Sequence, residues 1–202
     1  MDTETQILQA AERLFIEKGF VATSTTDIAR EVGCNQALVH YYYRTKEKLF
    51  QKVFIAKFEY IFSMLRQPLE SDIGIFEKLQ SVVDTYFDMF IDNRKVPFFI
   101  FNELILNGER RKVIKEMFFA NATREELYRR YCQQIEDAIA KGQIRPIEPM
   151  DLYLNIVSLI VFSFITEPLF TDFLDYDDAQ RKAFIARRRT EVVETLLRSL
   201  KP

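Results

Sequence analysis

Apolar residues recur at helical spacing along most of the chain. In the first segment, Ile7, Leu8, Ala11, Leu14 and Phe15 fall on one stripe of a helix predicted over 3–18, and Gly19 is placed to end it. The same spacing predicts eight further helices, which Asn, Gly and Pro residues separate. These helices cover 24–32, 36–42, 45–66, 72–92, 96–107, 109–141, 150–166 and 177–200. The pattern therefore predicts an all-α fold.

Two of the predicted helices are short and are joined by a tight turn. Ser24 can cap the first of them, and Asp27, three residues later, fits the second half of a capping box. Gly33 then ends this helix, and the next helix begins at Gln36. Two short helices joined by a turn of three or four residues that contains glycine form the helix-turn-helix pattern. Thr45 is placed to cap the long helix that follows.

The size of the chain fits two units. With 202 residues it can form one sizeable domain or two small ones, and we predict a helical head over 1–48 and a larger helical body over 49–202. Hydrophobic residues make up 48% and charged residues 29%, as in globular proteins. Only 5 Gly and 6 Pro are present, which leaves little room for loops and favours helices.

The composition also favours a cytoplasmic location. The segment MDTETQ has no basic stretch followed by an apolar one, so we expect no secretion signal. The most apolar run, 152–165, contains three polar residues and is shorter than the ~20 residues of a membrane helix, so we expect a buried helix and no membrane partner. Cys34 and Cys132 lie far apart without metal-ligand spacing, so we expect a reducing compartment, no metal and no cofactor.

The overall charge gives no support to nucleic-acid binding. The net charge is −2, and the first 52 residues carry seven Lys or Arg and seven Asp or Glu. If the head binds DNA, the local placement of a few donors has to provide the attraction.

The second short helix has an outer face suited to DNA. A helix-turn-helix places this helix in the major groove, where glutamine can pair with adenine and histidine can contact a base edge. A small residue allows close approach, and tyrosine hydroxyls can donate to phosphates. The predicted contacts on this helix are Gln36, Ala37, His40, Tyr41 and Tyr42, with Ser24, Thr25, Thr26 and Lys46 at the flanking helix starts.

Plain packing is the alternative for each of these features. An aromatic cluster after a short helix is more often core, which we expect of Tyr43. A single histidine is usually an ordinary core or surface residue.

A second interpretation of the whole chain is therefore a helical protein that binds apolar ligands and whose head is only structural. An enzyme is not expected, and no catalytic residue is assigned, because the sequence has no nucleophile elbow, no glycine-rich phosphate loop and one histidine.

The head resembles a known family. The stretch ILQAAERLFIEKGFVATSTTDIAREVGCNQALVHYYYRTKEKLF is similar to the N-terminal domain of the TetR family of bacterial transcriptional regulators (TetR/AcrR type). The matching features are Ala10-Ala11, Leu14-Phe15, Gly19-Phe20, Thr23-Ser24, Asp27-Ile28-Ala29, Gly33 and Thr45 to Leu49. The resemblance adds Asn35 to the DNA-binding set, and His40 stands where the family usually has tyrosine. It implies a ligand-responsive repressor that binds a palindromic operator as a homodimer and is released by a small molecule.

The same resemblance assigns dimerisation to the last two helices. The sequence agrees, since DLYLNIVSLIVFSFI is apolar nearly all round and needs cover on more than one side. An isologous interface between two subunits would supply that cover, although a core helix of a monomer is the alternative. The predicted interface residues are Leu152, Ile156, Leu159, Ile160, Phe184, Val192, Val193, Leu196, Leu197 and Leu200.

The middle helices are rich in aromatic residues, and by resemblance they hold the effector. Such residues can surround an apolar cavity, although they are more often plain core. The predicted walls are Phe54, Phe58, Phe62, Tyr86, Phe90, Phe98, Phe101, Phe118 and Tyr128, with Asn102, Glu103 and Asn121 for polar contacts. We expect an apolar or aromatic effector, with any cationic group near Glu103.

Overall fold

The computed structural model describes residues 2–202, with the backbone alone for Phe118 and Phe119. In this described part the regular elements are all α-helices, in agreement with the predicted fold class. They are α1 (Thr3–Ala22), α2 (Thr25–Val32), α3 (Gln36–Tyr43), α4 (Lys46–Glu70), α5 (Ile75–Asp92), α6 (Val96–Leu106), α7 (Gly108–Phe119), α8 (Ala122–Ala140), α9 (Pro149–Phe173) and α10 (Asp178–Ser199).

Local sequence signals set the short helices of the head. The Ser24 hydroxyl accepts from the Asp27 N–H at 3.0 Å, and the Asp27 carboxylate accepts from the Ser24 N–H at 3.2 Å. This is the predicted capping box at the start of α2. Gly33 ends the helix with φ 74°, a left-handed conformation that glycine adopts without strain. Asn35 then caps α3, and Thr45 caps α4.

Aromatic packing joins the head to the body. Phe15 and Phe20 of α1 lie edge-on to Phe50 of α4, with ring centroids 4.9 and 5.0 Å away. Phe99 of α6 packs against Phe50 at 5.6 Å and against Phe54 at 6.0 Å. The hydrophobic core is therefore one cluster that runs from head to body through α4. The predicted domain boundary after residue 48 falls in the first turn of this helix.

In the body, α9 packs against α5, α6, α8 and α10. It is long and apolar enough to cross a membrane by length and composition alone, which the core helix of a soluble protein also satisfies. Leu152 and Ile160 are fully buried on its inner side. Arg94 pairs with Glu167 of α9 at 3.2 Å, which fixes α9 beside the α5–α6 connection.

Four helix predictions differ from the structure. Helix α1, predicted over 3–18, continues to Ala22, and Gly19 interrupts it with φ 79° and ψ 171°. The segment predicted as one helix over 109–141 forms two helices, because Asn121 caps α8 by accepting from the Thr123 N–H at 3.0 Å. Helix α4 continues through Pro68 to Glu70, and α9 continues through Pro168 to Phe173. A proline inside a helix removes one backbone hydrogen bond, and tertiary packing of the rest of the helix offsets that loss here.

Candidate nucleic-acid interface

The three consecutive tyrosines of α3 have different environments. Tyr43 is 5% exposed and its hydroxyl donates to the Glu4 carbonyl at 3.2 Å. Burial, with a smaller effect of the Glu4 charge, raises the pKa of Tyr43 to about 12. Tyr41 is 77% exposed and Tyr42 37% exposed, with ring centroids 5.2 Å apart. The prediction that Tyr43 anchors the head is confirmed, and the other two rings are open to a partner.

A short polar network covers the outer face of α3. The Gln36 amide nitrogen donates to the Thr25 hydroxyl oxygen at 2.9 Å and lies 3.4 Å from His40 Nε2. His40 Nδ1 lies 3.2 Å from the Arg44 carbonyl oxygen. The network therefore links the start of α2 to the end of α3. It brings together three of the predicted DNA contacts on one exposed surface.

Two other predicted contacts act as helix caps. The Ser24 hydroxyl donates to the Asp27 carboxylate at 2.6 Å, and hydrogen bonds from Ser24 hold the pKa of Asp27 below its ordinary value. The Asn35 side chain accepts from the Ala37 N–H at 2.9 Å. Thr26 and Ala37 are exposed beside them. Capping satisfies one orphan N–H of each helix, and the neighbouring N–H groups at these helix starts stay available to an anion.

Lys46 has a role that its sequence position does not reveal. Its ammonium donates to the carbonyls of Phe20 at 2.8 Å and Thr23 at 2.9 Å, and lies 4.2 Å from the Phe20 ring centroid. The side chain therefore holds the C-terminal end of α1 against the start of α4. The ammonium keeps its charge, but its hydrogen bonds direct it toward these carbonyls, so we expect the predicted phosphate contact of Lys46 not to form in this conformation.

Two exposed cations beside Lys46, Arg44 and Lys48, are not among the predicted DNA contacts. Arg44 caps the end of α3 with φ 59° and is exposed, and Lys48 is exposed in the first turn of α4. The ion pairs found between described residues include neither of them. Their position on both sides of the α4 start was visible in the sequence, but which of three nearby cations faces the core was not.

The predicted effector walls are divided between core and surface. Phe54, Tyr86 and Phe90 are buried, and burial raises the pKa of Tyr86 well above its ordinary value. Phe98 is 58% exposed and Tyr128 40% exposed, so neither is an inner wall. Half-buried positions are Phe58, Phe62, Phe101 and Asn102. The side chain of Phe118 lies outside the described residues.

Two predicted polar contacts of the effector have other roles. Asn121 caps α8, as described above. The Glu103 carboxylate lies 3.4 Å from Arg110 Nε, so a protein cation occupies the place predicted for a cationic group of the effector. An open cleft of about 750 Å³ lies at the α8–α9 connection, and its lining, which includes Ile139, Arg145 and Asp151, contains none of the predicted walls.

Arg110, at the start of α7, connects the body to the head. Its side chain is 2% exposed and forms ion pairs with Glu47 of α4 and Glu103 of α6. The guanidinium also lies 4.2 Å from the Phe50 ring centroid, close enough for a cation–π contact. A movement of α6 or α7 therefore acts directly on the first turn of α4.

Most of the residues predicted to form the dimer interface face the core of the single chain. Six of them are buried within the single chain and are not available to a partner: Leu152, Ile156, Ile160, Val192, Leu196 and Leu200. The other four, Leu159, Phe184, Val193 and Leu197, are partly buried against the same core. Helix α9 instead exposes a stripe of four apolar residues, which are Leu154, Phe162, Leu169 and Phe173. They follow one another at spacings of eight, seven and four residues, which places them on one face of the helix.

Comparison with family models identifies both parts of the chain. Residues 7–53 match the model of the bacterial regulatory proteins of the tetR family. Residues 76–196, more than half of the chain, match the model of the tetracyclin repressor-like C-terminal domain.

Individual proteins give the same result. The chain is 22% identical over 152 residues to the HTH-type transcriptional repressor KstR2 of Mycolicibacterium smegmatis, a match that covers 75% of this chain and 72% of that one. It is 26% identical over 145 residues to the HTH-type transcriptional regulator UidR of Escherichia coli K12, covering 71% and 70%. A solved tetR-family regulatory protein from Rhodococcus RHA1 superposes with a TM-score of 0.74 at 25% identity, covering 100% and 98%.

Proposed function

The chain belongs to the TetR family of bacterial transcriptional regulators, and we infer from this that it is a homodimeric repressor which binds a palindromic operator and is released by a small molecule. Like the regulators that it resembles, it is a DNA-binding protein and not an enzyme. This family membership overturns the alternative of an apolar-ligand carrier with a purely structural head. We place its action in the cytoplasm, where bacterial DNA lies.

The network on the outer face of α3 is the observation that carries the DNA-binding assignment. It aligns Thr25, Gln36 and His40 on an exposed surface that is flanked by the starts of α2 and α4. The backbone N–H groups at these two starts, with Tyr41 and Tyr42 between them, suit the phosphates on both sides of a major groove. Arg44 and Lys48 leave the head neutral overall, but they place two exposed positive charges beside this surface.

The exposed stripe of α9 supports the homodimer. Four large apolar side chains on one helix face form a patch that a monomer rarely leaves in water. Pairing of two such stripes about a twofold axis would bury them in an isologous interface. The two copies of α3 would then be held at a fixed separation, which a palindromic operator requires to be one helical turn, roughly 34–36 Å, or a multiple of it.

The contacts of Arg110 support release by an effector. An apolar or aromatic compound that inserts beside the half-buried Phe58 and Phe62 would displace α4 or the helices packed on it. Since Glu47 lies in the first turn of α4 and is paired to Arg110, the displacement would reach the head. The effector acts only to the extent that it prefers the displaced arrangement, because a ligand shifts an equilibrium by its differential affinity.

The two neighbouring cations Arg44 and Lys46 should respond differently to replacement. Arg44→Asn, which keeps a residue type that tolerates the positive φ at this position, should lower the slope of log affinity against log salt by about 0.9. Lys46→Ala should leave that slope unchanged. It should instead lower the free energy of unfolding by about 1.5–3 kcal/mol, the range for hydrogen bonds to a charged group. Fluorescence anisotropy with a labelled duplex and urea unfolding measure the two quantities.

Lys141→Ala is the control, since Lys141 is an exposed cation at the far end of α8. It should change neither the salt slope nor the stability. A reduced slope for Lys46→Ala with no change for Arg44→Asn would show that the assignment of the two cations is reversed. If DNA binding by the parent protein did not depend on salt, the assignment of this surface as the DNA interface would be wrong.

A further inference from the structure

The ring of His40 lies between a carbonyl oxygen and an amide nitrogen, and these two partners select one tautomer of the neutral ring. Nδ1 is 3.2 Å from the Arg44 carbonyl oxygen, which can only accept a hydrogen bond. Nδ1 must therefore carry the hydrogen. In the neutral ring Nε2 then has a lone pair, so the Gln36 amide nitrogen, 3.4 Å away, donates to it.

This arrangement decides which end of the Gln36 amide remains available. One N–H of the amide donates to the Thr25 hydroxyl at 2.9 Å, and the other donates to His40. Both hydrogens of the NH₂ group are used. The side chain is exposed, so the group that it can still offer to a partner is the oxygen Oε1, an acceptor.

We propose that His40 is a positioning residue that turns the acceptor end of Gln36 toward DNA, so that this position reads a base carrying an amino group. The inference rests on the proposed DNA-binding function. In the major groove adenine and cytosine present an amino group, whereas guanine and thymine present an oxygen at the corresponding place. A freely rotating glutamine would instead offer its N–H groups equally well. His40 thus determines specificity without contacting a base itself.

The exchange of dC for dU tests this effect at one position. Deoxycytidine presents the N4 amino group and deoxyuridine the O4 oxygen in the major groove, and neither carries the methyl group of thymine. Since the exchange also changes the paired purine from dG to dA, each dC to dU ratio is divided by the ratio for Gln36→Ala, which cannot make the contact. The relevant operator position is the one at which Gln36→Ala removes base preference, in a site selected from random duplexes by the full-length protein. At this position the parent protein should bind the dC duplex about tenfold more tightly than the dU duplex, within the range for one base-edge contact. With His40→Phe the ratio should fall to about threefold or less, because the released amide can donate to O4.

A second background separates positioning from a general disturbance of α3. In Gln36→Glu both side-chain oxygens are acceptors, so no positioning is needed and the preference for dC should persist. Adding His40→Phe to Gln36→Glu should leave the dC to dU ratio unchanged. If His40→Phe lowered the ratio equally in both backgrounds, its role would be structural only and the proposal would be overturned. Thermal melting of each variant confirms that the head is folded.

The remaining outcomes are distinguishable. A parent protein that selects an operator but prefers dU, or a His40→Phe variant with the parental ratio, overturns the positioning role and leaves the proposed function intact. If the parent protein selects no duplex at all, the DNA-binding function is wrong and the positioning role is wrong with it.

Discussion

Replacing Arg110 with alanine should lower the free energy of unfolding by about 3–5 kcal/mol, the range for removing one partner of a buried ion pair. The Arg110 side chain is 2% exposed, and the Glu103 carboxylate beside it is 14% exposed. Without the guanidinium this carboxylate stays in a poorly hydrated place with no cation to balance it. The loss also leaves a cavity against the Phe50 ring. Urea unfolding followed by circular dichroism measures the change.

Two further variants test whether the burial of this ion pair causes the loss of stability. Arg129→Ala removes an arginine whose ion pair with Glu126 lies at the surface, 72% and 40% exposed, and should cost less than about 1 kcal/mol. The double variant Arg110→Met with Glu103→Leu replaces the buried charges by apolar groups and should recover most of the lost stability. A stability of Arg110→Ala within 1 kcal/mol of the parent would show that this pair does not hold head and body together.

The second large effect is expected at the exposed stripe of α9. Phe162 is 65% exposed and lies in the middle of the stripe. A carboxylate at a central interface position loses an aromatic contact and places two like charges near the twofold axis. Phe162→Glu should therefore raise the dimer dissociation constant at least 100-fold, roughly 3 kcal/mol. Sedimentation equilibrium measures this directly, and the affinity for a two-half-site operator should fall with it.

Ile73→Glu is the matched control, because Ile73 is also apolar and 43% exposed but lies in the α4–α5 loop. It should leave the dimer intact. If the Phe162→Glu protein kept the parental dissociation constant, the subunit interface would lie elsewhere on the surface. If the parent protein were a monomer, the proposed homodimer would be wrong.

Features that depend on neighbouring residues could be predicted from the sequence. The capping pair Ser24 and Asp27, the turn at Gly33 and the cap at Thr45 act within a few residues, so their spacing identified the helix-turn-helix. The buried anchor Tyr43 followed from the pattern of α3 in the same way.

Features that depend on distant contacts could not be predicted. Lys46 binds carbonyls more than twenty residues away, and Arg110 pairs with Glu47 sixty-three residues away. In a polar run such as GERRK, nothing in the sequence marks one arginine as buried. Helix α9 is apolar nearly all round, so periodicity could not separate the core face from the exposed stripe, and the predicted interface residues fell on the core face.

Selection of bound duplexes from a random-sequence library by the purified protein tests the central claim most directly. We expect an inverted repeat whose half-site centres are one helical turn apart, about 10 base pairs, or a multiple of it. That result requires both a sequence-reading head and a twofold pair of subunits. Recovery of no preferred sequence, or of single half-sites without a symmetric partner, would contradict the account.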